Sequence, residues 1–336
     1  MTEVTLGRTG ICVNKNGFGA LPVQRVSLEE AAYLLKKAYQ GGIRFFDTAR
    51  AYSDSEEKIG FALSDVRKTL FISSKTTALT ADQFWKDLHT SLSKLKTDYL
   101  DILQFHNPPF CPKPGDESGL YDAILEAQAK GMVRFIGFTN HRLAVAREAV
   151  ESGLYDTLQF PFSYLADEKE ADLVRLCAEK NVGFIAMKAL SGGLITNSAA
   201  AYAYLDQYPN VLPIWGVQRE SELDEFLSYI DAPPVLTQEL AEVIAKDRGE
   251  LVGDFCRGCG YCLPCPAGID IPTCARMSLL LRRAPAAQFL TEESQEKMAR
   301  IDNCIRCGHC ENHCPYGLKT PQLLRRNYED YKSFLQ

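Results

Sequence analysis

Residues 99–138 read YLDILQFHNPPFCPKPGDESGLYDAILEAQAKGMVRFIGF. The apolar run Tyr99–Phe105 and the run Val133–Phe138 have strand length and turn residues at their ends. Between them Leu120–Lys130 has helical spacing and stops at Gly131. This is one strand–helix–strand repeat, and the same repeat extends in both directions. Strand-like runs occur at Asn16–Ala20, Ile43–Phe46, Phe71–Ser74, Thr157–Phe160, Val182–Met187 and Val211–Trp215. Ser27 with Glu30 forms a capping-box start for a helix that Gly41 ends. Thr80 with Gln83 starts another helix, running to about Leu95, and Asp167–Lys180 and Ser221–Leu227 read the same way. Eight strand–helix units in succession predict an α/β chain folded as a (β/α)8 TIM barrel. A doubly wound sheet is the competitor, but it seldom needs eight consecutive units. The opening segment, with Gly7-Arg8-Thr9-Gly10 between apolar runs, predicts a hairpin plugging the barrel floor.

After Pro233–Gly253 the strand pattern stops and cysteine takes over. The last 81 residues hold nine of the twelve cysteines, eight of them in two runs: Cys256, Cys259, Cys262 and Cys265 before Pro266, then Cys304, Cys307, Cys310 and Cys314 before Pro315. Three cysteines at intervals of three and a fourth followed by proline is ferredoxin-type spacing for [4Fe-4S] clusters. The fourth cysteine of such a run serves the other run's cluster, so eight thiolates predict two clusters. The second run fits fully; the first is one residue short before Cys265. A disulfide framework fits poorly, because the cysteines crowd one end and no secretory signal is visible. Zinc would use four thiolates, not eight. The 38 residues between Cys265 and Cys304 carry two helical stretches, Pro272–Arg283 and Thr291–Ile301, so a small, mainly helical ferredoxin-like domain is expected. The predicted organisation is a barrel over 1–235, a linker over 236–252 and the iron–sulfur domain over 253–336.

A net charge of -6 and a pI near 5.5 argue against nucleic acid. No apolar run approaches the ~18 residues that span a bilayer. Free cysteines without an export signal point to a reducing cytoplasm.

In barrels of this kind the chemistry sits where strands end. Phe46-Asp47-Thr48-Ala49-Arg50-Ala51-Tyr52, Ser74-Lys75 and Gln104-Phe105-His106 bring Asp47, Tyr52, Lys75 and His106 to one rim from three adjacent strands. Each alone is unremarkable: an Asp after a strand often caps a helix, and a lone His is often structural. Together they suit carbonyl chemistry, with Tyr52 as proton donor. A free phenol has a pKa of about 10, and a neighbouring ammonium such as Lys75 would lower it. Asp47 would hold Lys75, and His106 would orient the carbonyl oxygen.

Over residues 1–230 the chain resembles the aldo-keto reductase family, on Gly42-Ile43-Arg44-Phe45-Phe46-Asp47-Thr48-Ala49 with Tyr52, Lys75 and His106. As a whole it resembles the subgroup with a C-terminal ferredoxin-like domain. The resemblance implies a nicotinamide cofactor, NAD(P)H, whose carboxamide meets Thr139, Asn140 and Gln159. Met187 stands where the family commonly places an aromatic ring. Ser191-Gly192-Gly193-Leu194 suits a loop near a pyrophosphate. Gly216 and Glu222 stand where NADPH-preferring members carry cations, with Arg219 close by, so NADH is favoured. Three readings follow. One is a nicotinamide-dependent carbonyl reductase or alcohol dehydrogenase acting on an aldehyde or ketone. The second is a reductase fed through the clusters from a ferredoxin-like partner, with a flavin joining two-electron to one-electron chemistry. The third is a non-catalytic electron carrier or redox sensor. Leu21, Val23, Trp85, Asn107 and Phe110 are the expected substrate-pocket residues.

Overall fold

The computed structural model describes residues 3–251, 255–283 and 286–335. All eight predicted strands form. After a hairpin of β1 (Glu3–Thr5) and β2 (Cys12–Asn14) come the barrel strands β3 (Gly17–Gly19), β4 (Phe45–Asp47), β5 (Phe71–Thr76) and β6 (Leu100–His106). They are followed by β7 (Val133–Thr139), β8 (Thr157–Pro161), β9 (Gly183–Met187) and β10 (Val211–Gly216). Every neighbouring pair is parallel, and β10 closes on β3. Parallel strands with helices on one side and a filled interior on the other are buried on both faces. This is why β6 is sequestered over Leu100–Phe105, with only His106 partly open.

The barrel helices are α1 (Leu28–Gln40), α2 (Ser55–Leu63), α3 (Ala81–Leu95), α4 (Leu120–Ala129), α5 (Leu143–Glu151), α6 (Glu168–Glu179), α7 (Ser198–Asp206) and α8 (Glu220–Asp231). The sequence signals act as read. Ser27 and Glu30 exchange both capping-box bonds, as do Asp167 and Glu170, and Thr80 accepts from the Gln83 N–H. The β1–β2 hairpin packs Val4, Leu6, Ile11 and Val13 against Phe45, Ile102, Ile185 and Leu212 from the barrel strands, so the floor is closed. Arg8 fastens it by donating to the carbonyls of Gly153, Lys180 and Asn181.

The chain divides into two compact units, one of residues 1–189 and 198–241 and the other of residues 190–197 and 242–336. Most of the stretch expected as a linker, 236–252, is a helix, α9 (Gln238–Glu250), and the division between the units falls within it. The expected start of the iron–sulfur domain at residue 253 lies outside the described residues. Within the second unit follow α10 (Ile271–Cys274), α11 (Met277–Arg283), α12 (Glu292–Ala299), α13 (His309–Asn312) and α14 (Thr320–Ser333). The stretch expected as one helix over Pro272–Arg283 breaks at Ala275–Arg276. No strand occurs among the described residues of this unit. Its core joins Ile269, Ile271, Met277, Met298, Ile301 and Leu324 to Cys256, Cys262 and Cys310. No helix among the described residues is long and apolar enough to cross a membrane.

Candidate active site and cluster sites

Strand register sets the barrel site. Gly19 pairs with Asp47, Asp47 with Ser73, Lys75 with Gln104, His106 with Thr139, and Thr139 with Gln159. These residues lie in adjoining layers at the carboxyl ends of the strands. The Lys75 ammonium donates to Asp47 Oδ2 at 2.5 Å and to the Thr48 carbonyl at 2.7 Å, and both charged side chains are at most 2% exposed. Its nitrogen lies 5.0 Å from the centre of the Tyr52 ring, and the His106 ring meets Tyr52 edge-on at 5.8 Å. The loop carrying Tyr52 is anchored on three sides. The Arg50 N–H donates to the Lys75 carbonyl, the Tyr52 N–H to Ala49, and Ser55 Oγ to Ala20.

Electrostatics correct one expectation. Tyr52 is held above, not below, the ordinary phenol value, first by burial and then by Asp47. Burial also pulls Lys75 below its ordinary value, with Asp47 opposing. Burial and then the Lys75 charge lower His106 to about 3, so its imidazole is neutral. His106 Nδ1 is enclosed and has no hydrogen-bond partner among the described residues.

Sequence reasoning missed Gln104. Its amide nitrogen donates to Ser73 Oγ (2.7 Å), Gln159 Oε1 (2.7 Å) and, at 3.2 Å, Asp47 Oδ1. Gln159 in turn donates to Asp47 Oδ2 at 3.3 Å. The signal was available: Gln104 lies two residues before His106, on the same face of β6. Glu56 was missed as well; it accepts from Ser74 Oγ and pairs with Arg50 behind the site.

The other expected contacts fall as follows. Thr139 and Asn140 are fully buried beside Gln159; Asn140 donates to the Pro108 carbonyl and accepts from the Arg142 N–H. Met187 is partly buried at the end of β9. Glu222 accepts from the N–H groups of Gln218 and Arg219, and its other oxygen accepts from the Arg219 guanidinium at 2.7–2.9 Å. Both residues thus act as the cap of α8. The Ser191–Leu194 loop belongs to the second unit, where Arg276 donates to the Gly192 carbonyl and Arg283 to the Leu194 carbonyl. Of the expected substrate residues, Leu21 and Phe110 are open to solvent and Val23 is fully buried. Trp85 packs instead against His89 and beneath Lys130.

In the second unit two cavities lie among the cysteines. One is lined by Cys304, Cys307 and Cys310 together with Cys265 and Cys262. The other is lined by Cys256, Cys259 and Cys262 together with Cys314. The fourth cysteine of each run therefore faces the other run's cavity. Among the described residues no three His, Cys, Asp or Glu side chains converge as a single ion would require. Thiolates spread around a cavity fit a cluster, which has volume of its own.

The family models match on both sides of the chain: the aldo/keto reductase family over residues 15–200 and a 4Fe-4S dicluster domain over 255–319. The chain belongs to the aldo/keto reductase family. This reductase is 29% identical to L-galactose dehydrogenase of Arabidopsis thaliana, over 58% of its own length and 68% of that protein's. It is 25% identical to the uncharacterized oxidoreductase YqkF of Bacillus subtilis, over 87% of its length and 94% of that protein's. Among solved structures, the thermostable aldo-keto reductase Tm1743 bound to epalrestat superposes with a TM-score of 0.62. That match has 26% identity and covers 74% of this reductase and 100% of the other chain. The chain is thus an oxidoreductase of this family with an iron–sulfur domain.

Proposed function

We propose that the barrel interconverts an aldehyde or ketone and its alcohol with a nicotinamide cofactor, using Tyr52, Lys75, Asp47 and His106. The observation that carries this reading is the buried Lys75–Asp47 pair beneath Tyr52, with His106 against the same ring. A nicotinamide, when bound, supplies the hydride for the carbonyl carbon. Tyr52 supplies the proton for the carbonyl oxygen; its raised pKa keeps that proton in place at neutral pH until negative charge develops on the oxygen. The Lys75 ammonium then steadies the phenolate left behind, and Asp47 keeps the ammonium in position. An orphaned buried N–H is less tolerable than an orphaned acceptor. The enclosed Nδ1 of His106 therefore leaves the proton on Nε2, where it orients the carbonyl oxygen.

Thr139, Asn140 and Gln159 are the proposed carboxamide contacts, with Met187 against the ring. Arg219 and Glu222 are the proposed contacts for the adenosine half. Because Glu222 neutralises Arg219, a 2′-phosphate finds little net positive charge there, which favours NADH. In the second unit the two cavities support two [4Fe-4S] clusters. One is on Cys256, Cys259, Cys262 and Cys314; the other is on Cys304, Cys307, Cys310 and Cys265. A ferredoxin-like protein is the proposed redox partner and the cytoplasm the proposed setting.

Tyr52→Phe tests the reading. Carbonyl turnover should fall by about 10²–10⁴-fold, the usual contribution of a positioned acid, with NADH binding unchanged. Unchanged turnover would refute it. An anoxic titration with NADH and then NADPH separates the second reading: bleaching of the clusters would show electrons passing to them from nicotinamide, through a carrier such as a flavin.

A further inference from the structure

Arg276 sits at the break between α10 and α11, in the second unit. Its guanidinium donates to the Pro272 carbonyl at 2.9 Å and to the Gly192 carbonyl at 2.7 Å. It also lies flat against Gly258, where an added Cβ would stand 3.0 Å from its Cζ. Gly258 is the second of the two residues between Cys256 and Cys259, and its N–H reaches Cys256 Sγ at 3.3 Å. Arg276 lines neither cavity directly; Arg257 is in the lining of the Cys256 cavity and Arg306 in that of the other.

We propose that Arg276 sets the reduction potential of the cluster on Cys256, Cys259, Cys262 and Cys314, and that the Gly192 carbonyl fixes its charge in place. Reduction by one electron makes a cluster and its four thiolates one unit more negative. A fixed cation in partly dry surroundings favours that state and raises the potential. Arg306 is the arginine of the second cavity's lining, so Arg276 should act on the first cluster and not on the second. The proposal rests on the cluster ligation given above and not on the hydride chemistry of the barrel.

The test is an anoxic dithionite titration of the full-length, iron-replete protein, followed by electron paramagnetic resonance. The Cys259→Ser variant identifies the wave of the affected cluster. Arg276→Gln should move that wave to a more negative potential and leave the other in place, and Arg276→Lys should restore most of the shift. Gly192→Ala offers a second route, because its Cβ would press within 2.9 Å of Arg276 Nη1 at a residue with φ of 69°. It should shift the same wave in the same direction without touching a ligand or the arginine. Two unmoved waves, or equal movement of both, would overturn the proposal. Should Arg276→Gln lose iron, Arg276→Lys and Gly192→Ala decide it alone.

Discussion

The fold assigns His106 a charge state that a pH titration can read. Burial, and then the Lys75 ammonium, bring its pKa from 6.5 to about 3. The difference is about 3.5 units, and at about 1.36 kcal/mol per unit the imidazolium is disfavoured by something of order 5 kcal/mol. At pH 5 roughly one folded molecule in a hundred would carry a charged His106, where a free imidazole would be almost wholly charged. The sign for stability follows. Between pH 6.5 and about 3 the unfolded chain binds a proton that the folded chain does not. The contribution is therefore complete above 6.5 and is lost as the pH falls through that window. The chain has five histidines, so nitrogen-15 histidine labelling gives a short spectrum, with His106→Asn for assignment. The His106 resonances should stay those of a neutral ring from pH 8 to 5. Lys75→Met, which removes the second cause, should bring the midpoint upward. A His106 midpoint near 6.5 in folded wild-type protein would refute the account of its surroundings and of its role as a neutral donor.

Two further outcomes follow from the same geometry. Asp47→Asn strips the counter-ion from an ammonium 1% exposed and should lower stability by about 3–5 kcal/mol, read as a fall in the urea midpoint. A loss under about 1 kcal/mol, the range of an exposed pair, would show that the pair is not buried and charged as drawn. Cys314→Ser should perturb the same cluster signal as Cys259→Ser and a different one from Cys310→Ser, if each run's fourth cysteine serves the other's cluster; matching effects of Cys314→Ser and Cys310→Ser would exclude crossed ligation.

The strands were legible because a parallel barrel imposes a repeat on the sequence: each of Phe71–Ser74 and Val133–Phe138 is an apolar run that needs no distant partner to be recognised. The caps at Ser27, Thr80 and Asp167 were legible for the same reason, since a cap is a bond over three residues. The rim residues were legible because strand ends order Asp47, Lys75 and His106 along one edge. The helix within 236–252 was not legible because α9 has charged residues on most of its surface and little burial beyond Ile244 and Asp247 to mark it.

By itself the sequence determined the eight strand–helix units, the candidate tetrad and the two cysteine runs. These are statements about spacing along the chain, which local geometry converts directly into position. The tertiary structure alone decided which groups are dry and which atoms meet. It put Gln104 between Asp47 and Gln159, spent Glu222 on Arg219, and set Arg276 between Gly192 and Gly258. It also reversed the expected direction for Tyr52. The physical reason is that desolvation and charge act through space. Their strength depends on neighbours far apart in sequence, which no spacing pattern records.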